Sequence, residues 1–102
     1  MNKVSIFFVI LGAAAVMWSA PGSANDRQNG RSLYETHCLG CHGEGGRSID
    51  PAVPNFVNGD QLFLMDSELL NRIREGNVTM PAFRGLLSDA EIRDVISYLR
   101  TL

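Results

Sequence analysis

The chain has 102 residues, a formal net charge of −2 and 45% apolar residues. That length holds one domain. Nine basic against eleven acidic residues give no polybasic surface for nucleic acid or an anionic membrane.

Lys3 is followed by an almost unbroken apolar run, Val4 to Trp18, and then by small residues from Ser19 to Ala24. A positive start, an apolar stretch and a small-residue exit describe a secretory signal peptide, here 1–24, cleaved after Ala24. The run is shorter than the roughly 20 residues of a spanning helix, so retention as a membrane anchor is the lesser alternative. Cleavage leaves 25–102 as the one domain, with neither lysine nor tryptophan. A domain of that size sits near the limit at which an apolar core suffices without a staple or cofactor.

The first helix is expected from Asp26 or Gln28 through Cys38, with Leu33, Tyr34 and His37 on one face. Gly30 falls on that face as well. A glycine inside a helix costs about 1 kcal/mol relative to alanine, so either another helix approaches closely there or this one starts late.

Cys38-Leu39-Gly40-Cys41-His42 comes next. C-x-x-C-H is the attachment signature of a c-type haem. Two thiols must reach two vinyl groups of one porphyrin, and one helical turn presents them on the same side. The residue that follows stands beneath the ring, where an imidazole can bind the iron. Three other uses of these residues compete. A thioredoxin-like dithiol needs a preceding strand, and no strand pattern precedes Cys38. A zinc site needs a fourth ligand, which only the adjacent His37 offers. A Cys38–Cys41 disulfide would close a very short loop and contribute little.

Gly43 to Gly46 opens a loop, and 47–58, with Pro51 and Pro54, shows no sustained period. A metal-ligating histidine donates its second ring N–H to an acceptor, commonly a backbone carbonyl. The Pro54 carbonyl is a candidate for His42; the alternative is that Pro54 serves only a turn. Residues 59–65 read as a turn or brief helix, and a second main helix runs from Asp66 or Ser67 through Glu75, stopped by Gly76. Pro81 then biases Met80 toward extended backbone, which suits a thioether projected from a loop as an iron ligand. Of the two methionines beyond the leader, Met65 reads as core and Met80 as ligand. Asn77 and Thr79 lie close enough in sequence to tune the Met80 sulfur by hydrogen bonding. Ser88 and Glu91 form a capping box, opening a last helix whose Ile92, Val95, Ile96 and Leu99 make an apolar stripe. The fold class is all-α.

With these residues in place, the chain resembles a small class I cytochrome c over essentially all of 25–102. The likeness is carried by Gly30 and Tyr34 ahead of the attachment motif, by Cys38, Cys41 and His42, by Met80-Pro81 with Phe83, and by Val95 to Leu99. The resemblance implies a compact fold of three to four helices around one covalent haem c, attached through Cys38 and Cys41, with the N- and C-terminal helices crossing. It also implies His42 and Met80 as axial ligands, Tyr98 packed near Gly30 and Tyr34, and Pro54 as the proline that orients the histidine. The lysine-ringed docking face of mitochondrial cytochrome c is absent, and Arg47, Arg72, Arg74 and Arg84 read as solvated surface charges.

The expectation is a periplasmic one-electron carrier, monomeric, not an enzyme, without stable membrane insertion after cleavage, and exchanging electrons with redox partner proteins. Rival expectations are a haem subunit docked permanently to a larger periplasmic oxidoreductase, and a gas-binding sensor or peroxidase-like protein with an open distal site.

Overall fold

Asp26 accepts a hydrogen bond from the Asn29 amide at 3.0 Å and so starts the first helix, α1, Arg27–His37. In the computed structural model, which describes residues 3–15 and 26–102, α1 runs directly into a single turn, α2, Leu39–His42. Two 3₁₀ turns follow, Glu44–Gly46 and Phe56–Asn58, the second capped by the Asn55 side chain. The two remaining helices are α3, Asp66–Glu75, and α4, Asp89–Leu99. Among the described residues there is no strand, only one isolated bridge between Arg84 and Leu87, and the chain is all-α as expected.

Helix boundaries follow local chemistry. Glu68 reaches back to the Met65 amide at 2.9 Å, and Gly76 stops α3 at φ +65°. Ser88 and Glu91 exchange both bonds of the capping box ahead of α4, at 3.0 and 3.1 Å. Residues 59–65 form successive turns, with Leu62 bonded to Gly59 and Leu64 to Gln61.

Burial then assembles the helices. Ile92, Val95, Ile96 and Leu99 of α4 are each at most 2% exposed, and burying such a side chain is worth about 1.5–3 kcal/mol. The α4 stripe serves two clusters. Ile92 and Ile96 pack with Leu69 and Ile73 of α3 and with Phe83 and Leu87. Val95 and Leu99 pack with Tyr34 of α1 and with Phe56. The end of α4 is tied to the start of α3 by Arg100, which bonds Asp66 and the Leu64 carbonyl at 2.7 Å each, and the Leu62 carbonyl.

The choice at Gly30 is resolved in favour of close approach. A Cβ there would lie 1.9 Å from the Asp94 carbonyl oxygen, so α1 and α4 touch backbone to backbone. Asp94 locks the contact, accepting from the Asp26 amide and from the Asn29 side chain at 2.8 Å each. Tyr98 lies over Tyr34, ring centroids 5.3 Å apart.

Met65 corrects one expectation. It is 66% exposed, not core: it occupies the cap position before α3 in extended backbone, off the stripe that buries Leu69 and Ile73. Val4 to Leu11 are exposed and without regular structure. The expected cleavage site at Ala24 lies outside the described residues, and no helix among those described is long and apolar enough to cross a membrane.

Candidate functional site

The attachment motif hangs from the end of α1. The Cys38 amide still bonds to the Tyr34 carbonyl at 2.8 Å, and the amides of Cys41 and His42 return to the Cys38 carbonyl at 3.2 and 2.9 Å. One turn therefore carries both cysteines and the histidine, with the thiols three residues apart and so on one side of it. Both cysteines are free, Cys38 half-buried and Cys41 exposed. Burial and the neighbouring Cys41 push the Cys38 thiol up to about 11.

The turn is pinned on its exit. Gly43 adopts φ +82°, where a Cβ would meet the Arg47 carbonyl oxygen at 2.0 Å. The buried Tyr34 hydroxyl donates to the Gly43 carbonyl at 2.6 Å, and burial pushes that hydroxyl up to about 12.

His42 is only 8% exposed. Its Nδ1 is buried and has no hydrogen-bond partner within standard geometry. Burial lowers the pKa of the imidazole; the Pro54 carbonyl faces the ring closely enough to act in the opposite direction. Burial thus favours the neutral form, the one that binds iron. The ring stacks on Phe56, centroids 4.8 Å apart and planes 21° apart.

A buried polar atom left without a partner requires an explanation. The donor set supplies one: two free thiols on one turn, a neutral buried imidazole beside them, and a nearby carbonyl able to receive its second N–H. Ile49 and Phe63, 97% and 81% exposed, line shallow clefts that also take in Cys41 and Pro54 respectively. Apolar surface beside the motif is thus left bare by the protein alone, and these residues fit a large apolar group such as a haem. They do not fit zinc. His37 packs against Phe83 with their rings nearly perpendicular, centroids 6.2 Å apart, and no cluster of three or more metal-binding side chains occurs among the described residues.

Met80 stands apart from this group. It is half-buried against the α3–α4 cluster, on a loop fastened to the end of α3. The Phe83 and Arg84 amides bond to the Ile73 and Arg74 carbonyls at 3.2 and 3.0 Å. Gly76 leaves no room for a Cβ, which would lie 2.5 Å from the Met80 carbonyl oxygen. Asn77 brackets Met80: its amide donates to the Met80 carbonyl at 2.9 Å, and its Oδ1 accepts from the amides of Thr79 and Met80 at 2.9 and 2.8 Å. Asn77 and Thr79 therefore act on the loop backbone; neither donates to the Met80 sulfur in this structure.

The arginines expected as solvated surface charges do lie at the surface, three of them in solvent-exposed pairs. Arg84 and Arg74 pair with Glu75, Arg74 also with Asp89 at 3.3 Å, and Arg72 bonds Gln61 at 3.0 Å. Phe56 and Asp94 were not foreseen as site or packing residues. Phe56 has no sequence signal beyond following Pro54, and Asp94 reads as one more polar residue on a helix.

The profile described as "Cytochrome C oxidase, cbb3-type, subunit III" matches residues 25–99. The chain is 30% identical to cytochrome c6 of Nostoc sp., over 97% of its own length and 92% of the relative's. It is 32% identical to cytochrome c6 of Parathermosynechococcus lividus, over 72% and 87% respectively. The structure is similar to that of cytochrome c6 from the diatom Phaeodactylum tricornutum, with TM-score 0.56 and 26% identity, covering 74% of this chain and 92% of the other.

Proposed function

The chain belongs to the cytochrome c family as a small monohaem class I member, and from that premise we propose that it is an exported one-electron carrier with histidine–methionine ligation. It carries one covalent haem c on its C-x-x-C-H motif, and it is an electron carrier, not an enzyme. The observation that carries the reading is the α2 turn, which ends in a buried histidine whose Nδ1 has no partner.

Cys38 and Cys41 hold the group by thioether bonds, on a turn that Tyr34 and Gly43 keep in place. His42 would offer Nε2 to the iron, with Nδ1 facing the Pro54 carbonyl, which adds to the ring's basicity. Met80 would offer its thioether from the Gly76–Phe83 loop, a soft ligand that raises the potential. When bound, the haem supplies an iron that gains and loses one electron. With His42 and Met80 both as ligands, no position on the iron would be left for a substrate. Residues 1–24 act as the signal that takes the chain to the periplasm, and the mature protein works as a monomer with redox partner proteins.

A subunit docked permanently to a larger oxidoreductase is the less favoured reading. The family profile takes its description from an oxidase subunit, but the relatives matched nearly end to end are cytochromes c6.

The test is the visible spectrum of protein made in a host competent in haem attachment. A c-type reduced spectrum is expected, with the weak long-wavelength ferric band that marks sulfur–iron ligation. Met80→Ala should abolish that band and Met65→Ala should leave it. A band that survives Met80→Ala removes Met80 as ligand; absence of covalent haem removes the whole assignment.

A further inference from the structure

An imidazole turns easily about its Cβ–Cγ bond, because a torsion between sp³ and sp² carbons has broad wells. An iron ligand with that freedom would meet the iron with its ring in any of several planes. Two groups restrain His42. The Pro54 carbonyl faces one edge of the ring, but the contact to Nδ1 is too loose to count as a hydrogen bond in the protein alone. The firmer restraint is Phe56, whose ring lies 21° from parallel with the imidazole at 4.8 Å, an offset-stacked geometry that aromatic pairs favour.

Phe56 is itself held. It is 7% exposed and begins a 3₁₀ turn that the Asn55 side chain caps at 3.1 Å. Gly46 backs it at φ +77°, where a Cβ would lie 3.1 Å from the Phe56 Cβ and 2.5 Å from Leu102 Cδ1. Leu102 packs with Phe56 in the same cluster as Tyr34 and Leu99. Phe56 is thus held on its backbone side by Gly46 and by the cluster that Leu102 joins, with its ring against the imidazole.

We propose that Phe56 is a positioning residue for His42, fixing by ring stacking the plane in which the imidazole meets the haem iron. This rests on His42 being the proximal ligand, as argued above. Phe56 touches neither the iron nor a redox partner in this scheme; it acts through His42.

The test is proton NMR of the ferric holoprotein. The unpaired electron of a low-spin ferric haem spreads over the porphyrin according to the planes of its axial ligands, and the haem methyl shifts read that spread. Phe56→Leu keeps the apolar volume and removes the flat face, so the order or range of the methyl shifts should change while the visible spectrum stays low-spin. Phe56→Tyr keeps the face and should restore the wild-type pattern. If Phe56→Leu yields no holoprotein, Leu102→Ala loosens the cluster that holds Phe56 and should move the pattern in its place. A wild-type pattern in Phe56→Leu, or in Leu102→Ala where that substitution stands in, overturns the proposal alone. A low-spin spectrum that persists in His42→Ala overturns His42 as ligand, and the role of Phe56 with it.

Discussion

Replacing Gly30 with alanine puts a methyl carbon 1.9 Å from the Asp94 carbonyl oxygen, with backbone on both sides of the contact. Neither partner is a flexible side chain that could swing away, so α1 and α4 must part. Overpacking of this kind costs about 3 kcal/mol, and Gly30→Ala should lose that much in denaturant unfolding of the holoprotein. Asp94→Ala, which removes only the two bonds flanking the contact, should cost less. At this scale the sequence was informative where spacing carries the chemistry. Cys38, Cys41 and His42 need only one helical turn to come together, and Gly30 is conspicuous because glycine is costly inside a helix. Phe56 was illegible for the converse reason: its partner is decided by an irregular loop, which has no period to read. Met65 misled because an apolar neighbourhood in sequence says nothing about the side on which a cap residue points.

Among the elements, the loop from Gly76 to Phe83 is the one whose stiffness bears on the proposed ligation by Met80. It has no regular structure, yet Asn77 holds the backbone of Met80 with its own amide and with its side-chain Oδ1. Exposed bonds of this sort contribute about 0.5–1.5 kcal/mol each, and Asn77→Ala deletes the two made by Oδ1. The expected result is a Met80 more easily displaced: added imidazole should bind the ferric variant roughly tenfold more tightly than the wild type, measured by loss of the long-wavelength band. Equal affinity would mean that the bonds to α3 alone hold the loop. The helices were read from sequence to within a residue or so because caps and apolar stripes are local. The loop's geometry was not, since it depends on which amides a single asparagine happens to reach.

For the molecule as a whole, the two core clusters meet along α4 and leave apolar side chains bare beside the motif. A domain this small gains little from its core alone. Cys38→Ser/Cys41→Ser, which blocks attachment, should therefore lose the cooperative thermal transition of the holoprotein, or show it at much lower temperature, by far-UV circular dichroism. The structure left in that variant should also respond to acid through His42. Its folded pKa lies below the ordinary 6.5 because of burial, so the unfolded chain takes up a proton first as pH falls. Whatever stability the haem-free protein has should be full above about pH 6.5 and decline below it. A pH-independent melt would show that the imidazole is not buried without the haem.

Asp26 and Asp94 are 68 residues apart in the chain, yet their contact flanks the place where α1 and α4 meet. At synthesis rates of about 5–20 residues per second, Asp26 at the head of α1 precedes Asp94 by roughly 3 to 14 s. Throughout that interval nothing can press Val95 or Leu99 against Tyr34, and Cys38 is as open to solvent as its neighbour Cys41. The late arrival of α4 thus acts as a clock. It leaves the Cys38 thiol within reach of chemistry until the final helix packs against Tyr34, while Cys41 stays exposed even then.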